Sequence, residues 1–285
     1  MVKTKLLIIM KSPYVVFIIS DGTGLTAEIF SQSILAQFDI SFRLIRKPFI
    51  DTLEKANEVC QEIDSRSSAN GNRSIVFTTL IKPEISERIS KTDCFVINLF
   101  ANSISQLESA LGLKSGHVIN RLHHNADTQS YKNRIKSINF SLHHDDGQST
   151  SDLESAEIIL VGVSRSGKTP TCLYLAVQFG LKAANYPITP DDMERNLLPK
   201  AITEARGKVF GLTIDPIRLS EVRSERYPNS RYSTLENCKY EIKMSETLMN
   251  KNNIPYLSTT NKSIEEISSS ILQKINPEVI TSSRI

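Results

Sequence analysis

Residues 158–176 read IILVGVSRSGKTPTCLYLA. An apolar run, Ile158 to Val161, meets Gly162, and Gly167-Lys168-Thr169 opens a helix-like stretch. A strand that ends in such a loop and leads into a helix is built to hold phosphate. Gly162 and Gly167 let the backbone bend until its N–H groups face one point. Lys168 reaches the terminal phosphates, and Thr169 offers a hydroxyl to Mg²⁺. The helix behind the loop adds its positive end. Pro170 is tolerated in the first turn of that helix.

Working outward, strands alternate with helices on both sides of the loop. Tyr14–Ser20 is β-branched and aromatic, and strands are also predicted near 42–45, 74–79 and 94–99. Apolar spacing predicts helices over 25–38, 52–63, 83–89, 103–111 and 131–142. After the loop come strands at 182–185, 208–213 and near Tyr256, with helices at 168–179, 216–223, 235–250 and 263–275. This alternation predicts an α/β chain with mostly parallel sheets. The polar stretch HDDGQSTSDLE, 144–154, is the best linker. Two α/β domains are therefore expected. One spans 1–148, with residues 1–12 a disordered extension, and the P-loop domain spans 149–285.

Composition narrows the function classes. The 285 residues are 40% hydrophobic, enough for two cores. A net charge of +3 makes no general case for nucleic acid. Cys60, Cys94, Cys172 and Cys238 form no CxxC pair, which argues for buried reduced thiols rather than zinc or disulfides. The N-terminal apolar run, Leu6 to Met10, is too short for a signal peptide, and nothing later approaches a membrane span. A soluble, cytoplasmic protein is expected.

Further constellations carry two readings each. Asp21-Gly-Thr-Gly-Leu-Thr-Ala27 resembles a dinucleotide fingerprint, but Arg46 and Lys47 stand where an acid should close the second strand, so a tight turn is favoured. His117, His123, His124, His143 and His144 cluster without metal-ligand spacing. His144-Asp145-Asp146 could orient or deprotonate a hydroxyl, against an Asx turn as the local reading. Asp215 ends the strand VFGLTID, where it could hold metal, cap a helix before Pro216, or do both. Arg223, Arg226 and Arg231, with Tyr227 and Tyr232, could grip phosphate or an acidic partner face, or form a solvated helix end.

Taken together, ISDGTGLTAE (19–28), KPFIDTLEKA (47–56), YKNRIKSINFSLHHDDG (131–147), ILVGVSRSGKTPT (159–171), AANYPIT (183–189), VFGLTIDPIRL (209–219), RYPNSRY (226–232) and KSIEEIS (262–268) resemble one family. It comprises the bifunctional regulatory proteins of phosphoenolpyruvate synthase and pyruvate, phosphate dikinase. The resemblance implies an ADP-dependent kinase that inactivates its target by phosphorylating a threonine. It also implies phosphate-dependent removal of that group as pyrophosphate. AANYPIT and PNSRY point to phosphoenolpyruvate synthase as the partner, and the family implies a homodimer. On this reading Gly162, Val163, Ser164, Arg165, Ser166, Gly167, Lys168 and Thr169 bind ADP, and Thr169 with Asp215 holds Mg²⁺. His144, Asp145, Asp146 and Lys168 carry catalysis, and Arg165 with Lys168 forms part of a pocket for inorganic phosphate. A small-molecule P-loop kinase and a non-catalytic nucleotide-sensing module are the competing readings.

Overall fold

The computed structural model describes residues 14–70, 72–117, 129–145, 152–205 and 207–275. The chain divides into two compact units, Met1–His124 and Asn125–Ile285. In the first, strands β1 (Tyr14–Ile19), β2 (Phe42–Lys47), β3 (Ser74–Thr78) and β4 (Cys94–Asn98) form a parallel sheet in the order β2-β1-β3-β4. Helices α1 (Leu25–Leu35), α2 (Leu53–Asn70), α3 (Pro83–Ser90) and α4 (Ala101–Leu111) connect or follow them. Alternate residues of β1 feed two cores. Phe17 and Ile19 pack with Cys60, Ile63, Ile85 and Ile89, while Val16 and Ile18 pack with Ala27, Leu35 and Phe77.

The second unit repeats the arrangement. Strands β5 (Ile158–Gly162), β6 (Ala183–Pro187), β7 (Val209–Thr213) and β8 (Tyr256–Ser258) are parallel in the order β6-β5-β7-β8. The helices are α5 (Gln129–His143), α6 (Lys168–Phe179), α7 (Pro190–Arg195), α8 (Lys200–Glu204), α9 (Pro216–Arg226), α10 (Leu235–Lys251) and α11 (Ile264–Ile275). Every residue of β5 is buried, as a parallel strand covered on both faces requires. Its Ile159 and Val161 face a core with Leu219, Ile242 and Leu248, and Ile158 and Leu160 face one with Cys172, Leu175 and Ile271. In each unit the chain steps from its first strand to one side and then to the other. The first strand therefore ends at the topological switch point, where open α/β sheets bind ligands. Among the described residues no helix is long and apolar enough to cross a membrane.

Three expectations change. Helix α5, placed by the sequence reading in the first domain, packs in the second unit, so the division falls at 124/125 and not at 148/149. Its inward face is built of serines. Ser137 Oγ donates to the Gly180 carbonyl at 2.6 Å and Ser141 Oγ to the Ala183 carbonyl at 2.7 Å, contacts an apolar pattern cannot announce. Helix α2 runs on to Asn70, past the expected end at 63; the Arg66–Glu62 pair lies one turn apart on it, and Ser65 Oγ bonds back to the Glu62 carbonyl. Short helices α7 and α8 occupy 190–204, where none was expected. Residues 1–13, which include the expected disordered extension, lie outside the described residues, as do Asp146, His123 and His124.

Candidate active site

The loop after β5 has the backbone its glycines predict. A Cβ on Gly162 would lie 2.2 Å from the Leu212 carbonyl oxygen on β7, so only glycine lets the strand pass. Gly167 takes φ 89° at the N-cap of α6, and no side chain caps that helix, which leaves its first N–H groups for a ligand. Between them Arg165 adopts φ 73°, unusual for a side-chain-bearing residue. Lys168 is buried, and its Nζ donates to the Val163 carbonyl at 2.8 Å. Ser166 Oγ donates to the same carbonyl at 2.9 Å. The lysine is thus folded over the loop, where phosphate oxygens could take the place of that carbonyl.

Three residues outside the loop hold its shape. The guanidinium of Arg223, 0% exposed, donates from Nη2 to the Ser164 carbonyl at 3.1 Å and to Glu241 Oε2 at 2.7 Å, and from Nη1 to the Tyr232 carbonyl at 3.0 Å. It stacks 4.0 Å from the Tyr232 ring centroid, and that tyrosine donates its hydroxyl to Ser164 Oγ at 2.9 Å. Ser164 is therefore gripped by main chain and side chain just before the left-handed Arg165. On the far side, Thr259 Oγ1 donates to the Ser166 carbonyl at 3.2 Å. The sequence offered Arg223 as a phosphate ligand or a solvated residue, and it is neither. Its four-residue spacing from Leu219 on the buried side of α9 was the available signal. Arg226 and Arg231 are exposed.

The carboxylate at the loop is Asp145. Its Oδ1 accepts from Thr169 Oγ1 and from Asn185 Nδ2, both at 2.7 Å, and Asn185 Nδ2 also donates to Thr169 Oγ1 at 3.0 Å. Asp145 reaches this place because Asn185 N on β6 donates to the His144 carbonyl at 3.0 Å. The His144 ring is buried, stacked 4.0 Å from the Phe140 ring with Nδ1 2.9 Å from the Phe140 carbonyl. His144 thus anchors the end of α5 beside β6. Asn185 escaped the sequence reading, since a lone asparagine in an apolar strand carries no motif. It is 3% exposed, and its Oδ1 is buried without a hydrogen-bond partner among the described residues. Thr169 Oγ1 and the Asp145 carboxylate bring oxygens together, the donor chemistry a hard cation such as Mg²⁺ takes, and Asn185 turns its amide N–H to both.

Asp215 follows β7, the neighbour of β5. Its Oδ1 caps α9 by accepting from the Ile217 and Arg218 amides at 2.9 and 3.1 Å, and none of its hydrogen bonds reaches Thr169. Behind the loop, burial pushes the Cys172 thiol up, well above its ordinary range, against the pull of Lys168.

In the first unit the Asp21-Gly-Thr-Gly turn is tied to neighbouring segments, with the Gly22 carbonyl accepting from the Phe49 amide at 2.9 Å. The buried Asp21 accepts from the Ile81 amide at 2.9 Å, and burial pushes its carboxyl up. Arg46 and Lys47, at the end of β2, pair with Glu28 and Glu62. That end of β2 carries no acid for a ribose, in keeping with the turn reading. His117 is exposed and borders a cavity of about 490 Å³ beyond β3 and β4.

Residues 16–272 match the model of the kinase/pyrophosphorylase family. The chain belongs to the kinase/pyrophosphorylase family. Relatives from Ralstonia nicotianae, Cupriavidus pinatubonensis and Burkholderia multivorans carry the provisional name phosphoenolpyruvate synthase regulatory protein. Each is 56% identical to this chain, over 263, 260 and 263 residues respectively. Those alignments cover 92, 91 and 92% of the chain and 94, 86 and 97% of the relatives. The family match runs through both units and contains the loop, Asp145, Asn185 and Arg223 alike.

Proposed function

We propose that this member of the kinase/pyrophosphorylase family phosphorylates a threonine of phosphoenolpyruvate synthase from ADP, and removes that phosphoryl group with inorganic phosphate. The observation that carries the reading is the loop with Thr169 joined to Asp145, a phosphate cradle with an acid at its rim. In the forward direction the target hydroxyl attacks the β-phosphorus of ADP, the bond to the bridging oxygen breaks, and AMP leaves. Asp145 Oδ2, outside the bonds to Thr169 and Asn185, accepts the hydroxyl proton. Lys168 and the loop amides hold the phosphates and take up their charge, so positioning and electrostatics do most of the work. Mg²⁺, when bound, would offset charge on the transferred group; Thr169 and Asp145 would hold it through oxygen.

In the opposing direction inorganic phosphate attacks phosphothreonine. The P–O bond to the threonine breaks, pyrophosphate forms, and the acid returns the proton. Arg165, exposed on the loop, and Lys168 supply the positive charge that two anions need in one place. Two copies of the chain are proposed to act as a homodimer in the cytoplasm.

The test is transfer of label from β-³²P-ADP to purified phosphoenolpyruvate synthase, with ATP and Lys168→Ala as controls. Label on threonine that requires ADP and Lys168 is expected, and phosphate should then release it as pyrophosphate. No label on a competent synthase would end the reading.

A further inference from the structure

The hydrogen bonds at the loop leave open where the nucleoside half of the ADP lies. A cavity of about 740 Å³ opens beyond the C-terminal ends of β7 and β8, on the flank of the loop opposite Asp145 and Asn185. Its volume falls within the range of small-ligand sites. Ile214, Pro216 and Ile242 give it an apolar wall that can take the faces of a ring. Asn261 brings an amide, with donor and acceptor, to its rim. Asp215 caps α9 through Oδ1, which leaves Oδ2 to accept from ribose hydroxyls. Lys239 and Lys243, one helical turn apart on α10, face the same space, and neither side chain forms an ion pair or hydrogen bond with a described residue.

Sheet order places this cavity next to the phosphates. The loop ends β5, β7 is its neighbour and β8 the next strand out. The midpoint of β7 and β8 lies one and a half strand spacings from β5, about 7 Å. That is the reach of a diphosphate to its sugar. The two sites are also joined directly, since Thr259, between Ser258 and Thr260 of the cavity lining, holds the Ser166 carbonyl. The β6 flank is taken by Asp145, Thr169 and Asn185, the side proposed for the incoming hydroxyl. In-line transfer needs the leaving nucleotide on the other side.

We infer that the cavity at the ends of β7 and β8 is the nucleoside site of the ADP-binding loop, with Asp215 on the ribose and Asn261 on the base. The inference rests on the nucleotide reading of the loop. It gives Asp215 a sugar to hold in place of a metal.

Calorimetric titration of ADP and of pyrophosphate separates the two, because pyrophosphate reads the loop alone. Asn261 sits in an exposed turn, so Asn261→Trp fills the cavity mouth without touching a core. It should weaken ADP by about tenfold or more and leave pyrophosphate within about twofold. Lys168→Ala should weaken both. Photolabelling of the unaltered protein with 2-azido-ADP is independent of any variant, and should mark peptides containing 213–216, 239–246 or 258–261. Label at 183–196, or unchanged ADP binding by Asn261→Trp, would overturn the inference while the loop kept its ligand. If the unaltered protein bound neither ADP nor pyrophosphate, the loop reading and the nucleoside site would fall together. Labelling as expected without phosphate transfer to the synthase would leave the site standing and remove only the proposed acceptor.

Discussion

Replacing Arg223 with methionine tests whether the loop is held from behind. The side chain is fully buried and makes three short donor contacts, to Ser164, Tyr232 and Glu241. Methionine keeps much of the volume and none of the donors. It leaves Glu241, whose side chain is only 15% exposed, as a mostly buried carboxylate without its cation. Breaking a buried pair from one side costs about 3–5 kcal/mol. Glu241 retains the Asn237 amide at 2.6 Å, which favours the lower end, about 3 kcal/mol. Arg223 Nε is buried without a partner among the described residues, so the intact network already carries a cost. Removing both charges with Arg223→Met and Glu241→Gln should therefore be milder than the sum of the single changes by more than about 1 kcal/mol. The assay is urea unfolding followed by circular dichroism, with the transition of the second unit recognised by its shift on adding ADP. Loop function gives an independent readout, since the double variant should still bind ADP poorly while the Ser164 carbonyl goes unheld. A single-variant cost below about 1 kcal/mol, or strict additivity in the double, would refute the reasoning.

Other outcomes follow from single contacts. Gly162→Ala drives a Cβ against the Leu212 carbonyl, which is backbone and cannot swing away, so ADP binding should vanish and the unfolding midpoint fall; normal binding by this variant would contradict the loop geometry. Burial pushes the Cys94 thiol up to about 11, and Cys172 is also raised, so neither should react with iodoacetamide at pH 8 until the chain unfolds, as intact-mass analysis would show. Asp21→Asn tests a sign. Burial raises the folded carboxyl above its unfolded value, so its contribution to stability is complete below the ordinary carboxylate range and is lost as pH rises through the raised value. The asparagine, which keeps an oxygen for the Ile81 amide, should stabilise the first unit at pH 7 and lose that advantage near pH 4; equal effects at both pH values would count against it.

The sequence by itself determined the phosphate loop, the α/β class and the presence of two sheets. These are local properties: a β-branched run, glycines where the backbone must bend, and a lysine and threonine at fixed offsets are read along the chain. It also placed β1, β3, β5 and β7 nearly as they are, because parallel strands buried on both faces are continuous apolar runs. What it could not assign is which polar residue meets which. Helix α5 belongs to the second unit through serine hydroxyls bonded to carbonyls some forty residues away, and serine spacing has no hydrophobic period to betray it. Asp145 emerged as the acid at the loop because Asn185 on β6 captures the His144 carbonyl, a contact between two chain segments that register alone brings together. Asp215 and Arg223 show the same limit. An acid at a strand end and an arginine near tyrosines are compatible with metal, phosphate or solvent. Tertiary packing made one a helix cap at a cavity rim and buried the other completely under the loop, because only folding decides which charges lose their water and which partners replace it.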